Sequence, residues 1–335
     1  MTSIRDFLRV FRSQTASATL LLVMTCFLVG NGQLFSWQGL MVAIFAVLIH
    51  WFSFGHNSLM DTAMGYDKAD KNKQHHPLVS GAIKIDTAHN VVHTGIVCLA
   101  IAGFLIANWC GGNLAFAMFW FAIFIVAGFA YNNGQSKSTI LGFIPITMSF
   151  TALSVFAYYI VAQQMSNLMA WVAIYIAFVI FFQIAYSGHL KEIAESEKVG
   201  ANLLRAMGAR VKDGMYVPGV PTQVFACTLK LANFAVGAFI LVALVPYNPL
   251  VFIVWGLFLV AGATLLVHLV RKRAWDRNKS LTHMSLMEVV SIYMLPIILT
   301  PVIGWLPVVV LLVVGLVYFV GMNRFLWGTL LRPRV

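Results

Sequence analysis

The sequence predicts an all-α fold, a polytopic membrane bundle of nine to ten transmembrane helices, from three observations. Of its 335 residues, 60% are hydrophobic and 10% are charged, whereas a soluble domain carries about a quarter charged residues. The apolar residues form continuous runs of about 20, which is the length that a helix needs to span a bilayer. They do not alternate with polar residues, as the strands of a membrane barrel do. We therefore expect one membrane-embedded domain over residues 1–335.

Ten apolar runs are long enough to be spanning helices. They cover residues 17–35, 38–58, 86–108, 113–131, 138–163, 167–188, 222–245, 248–270, 284–301 and 305–328. Lys and Arg cluster before the first run, in alternate loops and after the last run, and the remaining loops carry none. This positive-inside pattern predicts that both termini are cytoplasmic, together with the long loops near 59–85, 189–221 and 271–283.

Residues 1–15, ahead of the first run, predict a short amphipathic helix on the membrane surface. Ile4, Phe7, Leu8 and Phe11 share one helical face, and arginines flank that face. An ordinary basic N-terminus is the alternative. The net charge of +11 follows the membrane topology, so we predict a lipid-bilayer protein that does not bind nucleic acid.

Two charged residues lie inside apolar runs. Lys230 either binds an anion within the bundle or reaches the cytoplasmic interface with its long side chain, and we favour the interface. Glu288 either pairs with a basic residue of 271–279 or lines a cavity, and the sequence favours neither.

A first polar cluster, "HNSLMDTAMGYDKADKNKQHHPL", follows the second run. Asn57 and Asp61 are four residues apart and therefore share a helical face near the hydrocarbon boundary. Polar residues at that depth are costly and usually functional. Gly65 predicts the end of the helix, so that Asp67 beyond it can turn back toward the same place.

A second cluster, "GHLKEIAESEK", follows the sixth run on the same side of the membrane. Glu192 and Glu195 are three residues apart on one face. An exposed amphipathic helix with ion pairs along it is the alternative. Its position directly after a spanning helix matches that of the first cluster, so we expect the two clusters to face each other.

Two facing carboxylate sets repel each other unless cations lie between them. Mg²⁺ prefers oxygen ligands, commonly one or two carboxylates together with phosphate oxygens and water. Asn57, Asp61, Asp67, Glu192 and Glu195 are therefore the predicted metal ligands. With nearby lysines, Lys73 among them, they predict a site for a diphosphate.

A third polar island, "YNNGQSK", lies between the fourth and fifth runs. Tyr131 and Lys137 are placed to reach the same mouth of the bundle. A simple turn with an interfacial tyrosine is the alternative.

These motifs together resemble the UbiA superfamily of intramembrane prenyltransferases. The stretch "NSLMDTAMGYDKADKNKQHHPLVSG" is similar to that family's Asn-Asp-x-x-Asp-x-x-x-Asp motif and the Pro-Leu-x-Ser-Gly that follows it. The island "YNNGQSK" resembles its Tyr/Lys loop, and "KEIAESEK" its second acidic motif. The chain departs from the pattern at Ser58, Gly65 and His76, and it has glutamates three apart where the family has aspartates four apart.

The resemblance implies a Mg²⁺-dependent enzyme that transfers an isoprenyl group from an isoprenyl diphosphate to a hydrophobic acceptor, either an aromatic ring or a polar lipid precursor. It implies catalytic roles for Asn57, Asp61, Lys137, Glu192 and Glu195. It also implies that the following residues bind diphosphate: Lys73, Tyr131, Lys137 and Lys198.

Two alternatives remain at this point. A terpene cyclase of the same superfamily would capture the carbocation with the substrate's own double bond. A cation transporter would carry polar residues along a path to the outer face, whereas here polarity is confined to one side.

Overall fold

The computed structural model describes residues 3–135, 138–195 and 200–330. Its principal helices, numbered in chain order, are α1 (Ile4–Val10), α2 (Ala16–Val29), α3 (Trp37–Ala63), α4 (Ile85–Cys110), α5 (Leu114–Ala130), α6 (Phe143–Tyr159), α7 (Asn167–Phe181), α8 (Val220–Phe239), α9 (Pro249–Val270), α10 (Arg277–Ile298) and α11 (Trp305–Trp327). Wider π-helical turns continue α5, α7 and α8 over Tyr131–Gln135, Phe182–Gly188 and Ile240–Leu244. Short helical turns lie at Ser13–Thr15, Tyr66–Ala69, Lys71–Lys73, His189–Lys191, Leu203–Ala206 and Thr300–Ile303.

The predicted all-α membrane bundle is confirmed, since a helix lies in each of the ten apolar runs. Among the described residues, eight helices are long and apolar enough to cross a membrane, and a ninth span results if the bent pair Ile4–Val10 and Ser13–Val29 is counted as one. The remaining apolar helix, α6, has 17 residues. Helix α2 ends earlier than its run because Asn31, just beyond it, takes the left-handed conformation with φ 70°.

Helix α2 is the centre of the bundle. It packs against α3, α6, α7, α10 and α11, and all of its residues except Ala18 are buried. It is apolar all round, which is the composition expected of a helix enclosed by others. The outer helices instead turn apolar side chains outward, as Val97 on α4, Leu257 on α9 and Val317 on α11 do. In a membrane protein those faces contact lipid.

The α1 helix forms where the sequence predicts a short amphipathic helix. A capping box of Ser3 and Asp6 begins it. Val10 and Phe11 are buried against α3, and Arg9 donates hydrogen bonds to the carbonyl oxygen of Leu326 at the end of α11. The helix is thus docked on the bundle, and its position at the membrane surface stays a prediction.

Helix α3 ends as the sequence predicts. Its regular turns stop at Ala63, and Gly65 follows with φ +86°, a conformation that costs a residue with a side chain about 1 kcal/mol or more. The chain then turns, and Asp67 and Lys73 lie in short helical segments packed under the bundle.

A small antiparallel sheet that the sequence analysis did not predict joins two loops outside the bundle. Its strands are β1 (Arg210–Lys212), β2 (Met215–Val217) and β3 (Arg273–Ala274), in the order β1-β2-β3. Asp213 and Gly214, both with positive φ, form the tight turn between β1 and β2. In the sheet Tyr216 lies opposite Arg273. The sheet therefore ties the loop after α7 to the loop before α10.

We expect Gly65→Ala to lower the free energy of unfolding by about 1 kcal/mol, because alanine resists the left-handed backbone that ends α3. Thermal unfolding of the purified protein in detergent measures the effect.

Gly256→Ala is the matched control, since Gly256 lies within the regular helix α9 and an added Cβ meets no atom within 4 Å at either glycine. Equal unfolding temperatures for the two variants would contradict a strained backbone at Gly65.

Candidate active site

A chamber lies where α3 ends, between α3, α4, α5, α6 and the extension of α7. We call it the large chamber. The polar side chains that line it include Arg12, Asn57, Asp61, Lys73, Lys191 and Glu192. The aromatic side chains that line it include Phe54, Phe121, Phe124, Phe129, Phe143 and Phe150. Because both polar and aromatic side chains line it, the chamber suits a ligand that has a polar head and an apolar chain.

The structure brings the two acidic clusters to this chamber. Asn57 and Asp61 line it from the last turns of α3, and Glu192 lines it from the opposite side, directly after α7 and its extension. All three side chains are buried in the protein, with Asp61 3% and Glu192 7% exposed. Residues more than 130 positions apart thus share one cavity.

Contacts from the loops hold the end of the α7 extension in place. The last carbonyl groups of a helix lack partners within the helix and attract cationic donors. Here Arg205 Nη2 donates to the Glu192 carbonyl oxygen at 3.0 Å, and Arg277 Nε donates to that of Lys191 at 3.3 Å. Asn202 Nδ2 donates to the His189 carbonyl oxygen at 2.8 Å. These donors fix the backbone that carries Glu192.

The structure places Asp67 and Glu195, both predicted metal ligands, outside the described wall of the large chamber. Lys73 Nζ lies 2.6 Å from Asp67 Oδ1, in an ion pair with both side chains almost fully buried. Asn72 Nδ2 donates to Glu195 Oε1 at 2.5 Å. The sequence could not show these local partners, and the binding of metal by either carboxylate stays a prediction.

Charge around Asp67 is set by competing effects. Burial alone would raise the pKa of its carboxyl group, but the charge and the hydrogen bond of Lys73, together with the charge of Arg12, hold that pKa below its ordinary value. Burial lowers the pKa of the neighbouring His76 to about 3, so this imidazole is neutral at pH 7. Lys73 lines the large chamber as well, and is therefore held at the wall by its pair with Asp67.

Tyr131, predicted to bind diphosphate, lines the large chamber from the π-helical turn that ends α5. The adjacent Asn132 Nδ2 lies 2.9 Å from Nδ1 of His56 on α3, which joins this turn to α3. Lys137 and Lys198, the other two predicted diphosphate ligands, lie outside the described residues.

Sequence reasoning missed two cations of this chamber, Arg12 and Lys191. It assigned Arg12 to the flank of the N-terminal helix. Arg12 instead has φ 46° at the 59° bend between α1 and the helix that follows, and its guanidinium lies 5.6 Å from the centre of the Phe54 ring. The signal in the sequence was the position of Arg12 shortly before the first apolar run. The structure shows that a bend there directs its side chain into the bundle.

The structure also shows where the two charged residues within the apolar runs lie. The favoured expectation for Lys230 was wrong. Its side chain is 1% exposed, with Nζ 2.5 Å from Ser291 Oγ and 4.6 Å from the centre of the Phe182 ring, so a hydroxyl and an aromatic face replace the water of the interface. Glu288 lines a second cavity, where Gln183 Nε2 donates to its Oε2 at 2.8 Å.

We expect Lys73→Met to lower the free energy of unfolding by about 3–5 kcal/mol at pH 7, because it leaves Asp67 buried without its counter-charge. Chemical unfolding in detergent measures the loss. The double variant Asp67→Asn/Lys73→Met should be more stable than Lys73→Met.

The pH dependence has a definite sign. The lowered pKa of Asp67 contributes stability above the unfolded-state value of about 4, and this contribution is lost as the pH falls through the folded-state pKa. Asp67→Asn should therefore flatten the decline of stability in acid. A Lys73→Met variant as stable as the wild type would show that the pair does not form.

Comparisons with known proteins agree with this architecture. The model of the UbiA prenyltransferase family matches residues 19–289, which is most of the chain. A comparison with curated protein sequences gave no significant match. A solved structure of a UbiA homologue from Archaeoglobus fulgidus, bound to GPP and Mg²⁺, is similar with a TM-score of 0.52 and 14% identity, over 95% of this chain and 99% of that chain.

A structure reported for digeranylgeranylglyceryl phosphate synthase aligns with a TM-score of 0.49 and 13% identity, over 97% of this chain and 100% of that chain. The Archaeoglobus fulgidus structure, at 14% identity, shows a shared fold alone, whereas the family match extends over the helices that build the chamber. The chain belongs to the UbiA prenyltransferase family and is a membrane-embedded transferase of prenyl groups.

Proposed function

We propose that the protein transfers an isoprenyl group from an isoprenyl diphosphate to a hydrophobic acceptor, in a reaction that depends on Mg²⁺. The observation that carries this proposal is the meeting of Asp61 and Glu192, from distant helices, in a chamber that also contains cations and an aromatic wall. Such a chamber complements a substrate with an anionic head and an apolar chain. The Archaeoglobus fulgidus homologue, bound to GPP and Mg²⁺, holds ligands of that chemistry.

The donor groups fit Mg²⁺. Asp61 and Glu192 supply carboxylate oxygens and Asn57 an amide oxygen, which are the hard ligands that this ion prefers. Among the described residues, no three His, Cys, Asp or Glu side chains form a preformed metal site. Phosphate oxygens and water would complete the coordination, as is usual for Mg²⁺. When bound, the ion would neutralise charge that develops on the departing diphosphate.

Asn57 has a second use in the chamber. Its side chain is buried, and its Nδ2 has no hydrogen-bond partner among the described residues. An unsatisfied buried donor costs about 1–3 kcal/mol, so a phosphate oxygen that accepts from Nδ2 would relieve this cost. The amide group therefore helps to orient the diphosphate.

The chamber's own cations complete the recognition of the diphosphate. Arg12, Lys73 and Lys191 line the chamber from three separate segments of the chain. We propose that they bind the diphosphate oxygens that the metal does not coordinate. Lys137 and Lys198 are proposed as further donors from the adjoining segments. Fixed cations stabilise a leaving group most strongly where water is excluded.

The aromatic side chains of the chamber suit the isoprenyl chain. Phe54 and Phe150 lie with ring centres 6.0 Å apart and face the chamber beside Arg12. Aromatic faces attract a carbocation, and an apolar wall excludes the water that would capture it. The chain therefore extends among the helices, away from the polar mouth.

The polar mouth faces the cytoplasm in this proposal. The distribution of basic residues supports a cytoplasmic position in the cell membrane for the loops after α3 and α7. Water-soluble diphosphate would leave on that side.

The central experiment incubates the purified protein in detergent with Mg²⁺ and radiolabelled isoprenyl diphosphates of several chain lengths. We expect diphosphate release that requires an added acceptor and stops with EDTA. Release with a cyclic hydrocarbon product and no acceptor would identify a cyclase instead. Cation flux in liposomes without any release would identify a transporter.

We expect Asp61→Ala and Glu192→Ala each to lower turnover at least about a thousandfold, because each removes an oxygen ligand and a charge from the diphosphate site. Initial rates of diphosphate release measure the loss, and size-exclusion profiles show whether the variants fold.

Asp86→Asn is the matched control. Asp86 is an exposed carboxylate in the first turn of α4, outside the described wall of the chamber. Full activity of either the Asp61 or the Glu192 variant would remove that residue from the site.

A further inference from the structure

A second chamber lies between α2, α3, α7 with its extension, and α10. Its wall includes Ala18, Gln183, Ser187, Met284, Ser285 and Glu288. Ala18 is the residue of the otherwise buried helix α2 that is left partly exposed, because it faces this space. The chamber is thus built into the centre of the bundle.

The polar lining of the second chamber contains a carboxylate and a hydroxyl in addition to the cations Arg12 and Lys191. Gln183 Nε2 donates to Glu288 Oε2 at 2.8 Å. Ser187 is 2% exposed, and its Oγ has no hydrogen-bond partner among the described residues. A carboxylate and an unsatisfied hydroxyl are costly within an apolar bundle and point to a ligand that hydrogen-bonds to them.

The second chamber adjoins the large one through a shared wall. The residues that line both chambers are Arg12, Phe54, Phe150, Ile184, Gly188 and Lys191. Gly188 contributes only backbone to that wall, and Phe54 and Phe150 turn aromatic faces to it. A ligand in the second chamber would therefore adjoin a donor bound in the large chamber.

We propose that the second chamber binds the acceptor through a hydroxyl group, and that Glu288 accepts the proton of that hydroxyl. This inference rests on the proposed function. Ser187 and Gln183 are the positioning residues, and the apolar wall around Leu22 and Ile180 takes the body of the acceptor.

The chemistry of the wall selects the class of acceptor. A hydroxyl group can donate to the Glu288 carboxylate and accept from the Ser187 hydroxyl, whereas an anionic group there would be repelled by Glu288. The wall cations Arg12 and Lys191 also face the large chamber, where the diphosphate requires them. Phenols and alcohols share the required chemistry.

The transfer step balances as follows. The acceptor O–H bond breaks and its proton goes to a Glu288 oxygen. The freed electron pair forms a bond to C1 of the isoprenyl group, and the bond from C1 to the diphosphate oxygen breaks with its pair leaving on diphosphate. With a phenol the new bond can form at the ring carbon ortho to the oxygen. The hydrogen on that carbon then moves to the phenolic oxygen as a proton.

The test uses hydroquinone and 1-O-hexadecylglycerol as acceptors, with 1,4-dimethoxybenzene as the probe without a hydroxyl group. We expect transfer to at least one hydroxyl probe and none to the dimethoxy probe. The accepted probe shows whether the hydroxyl belongs to a phenol or to a lipid alcohol. Failure of both hydroxyl probes in a protein that binds donor, or transfer to the dimethoxy probe, would overturn the proposal.

Glu288→Gln keeps the shape and the contact with Gln183 but cannot accept a proton. We expect its kcat for transfer to fall about 100- to 1,000-fold, the range of a lost general base. Ser187→Ala should raise the acceptor KM about tenfold with little change in kcat. Thr282→Val, on the same helix α10 but outside the described chamber walls, should match the wild type.

Donor binding separates this proposal from the proposed function. Calorimetry with geranyl S-thiolodiphosphate and Mg²⁺ should give equal Kd values for the wild type, Glu288→Gln and Ser187→Ala. Wild-type transfer by Glu288→Gln, or weakened donor binding by it, would overturn the acceptor assignment alone. A wild-type protein that binds no isoprenyl diphosphate of any length would overturn the proposed function itself.

Discussion

The burial of two carboxylates, Asp61 and Glu192, in the wall of one chamber is the constraint on which the rest of the site depends. Both carboxylates are buried in one chamber, and placing two like charges in a medium of low polarity is unfavourable unless opposite charge lies between or around them. The protein supplies part of that charge through Arg12, Lys73 and Lys191. The proposed divalent ions would supply the remainder and would thereby link the binding of metal to the binding of the proposed anionic substrate.

A different local conformation or contact positions each of these cations. Arg12 sits at a left-handed bend, where the chain leaves α1 and enters the bundle. Lys73 is held by its ion pair with Asp67. Lys191 lies at the end of the α7 extension, and its carbonyl group accepts from Arg277, just beyond the strand β3. Arg277 therefore contributes to the site through the backbone although its side chain does not line the described chamber.

Much of the fold could be predicted from the sequence, because its strongest determinant is continuous hydrophobicity. All ten runs became helices, and Gly65 ended α3 where the left-handed backbone required glycine. The prediction placed Asn57, Asp61 and Glu192 on one side of the membrane, and the structure adds that they share a chamber. Side-chain partners within a cluster were harder to foresee. The sequence did not show that Asp67 and Glu195 differ from the acidic residues that line the chamber. Asp67 pairs with Lys73 and Glu195 accepts from Asn72, and these contacts depend on a turn that hydrophobic periodicity does not reveal.

Other features escaped prediction because they depend on tertiary packing. Lys230 was expected to reach water, but Ser291 on a neighbouring helix and the ring of Phe182 surround its ammonium group. The helix widens in the π-helical turns after α5 and α7, and a sequence pattern with a period of 3.6 residues does not reveal this. The first of these turns begins with Tyr131, and the second lies shortly before Glu192. Local departures from regular structure thus concentrate at the chamber.

The central position of α2 has a consequence for biosynthesis. Ribosomes make α2 before α3, α6, α7, α10 and α11, which enclose it. Its serine and threonine side chains, such as Ser17 and Thr25, are buried in the finished protein but meet lipid or the insertion machinery while those helices are still being made. Enclosure is complete only when α11 docks, so truncation before α11 would leave one side of this early helix bare and mark the nascent chain for quality control.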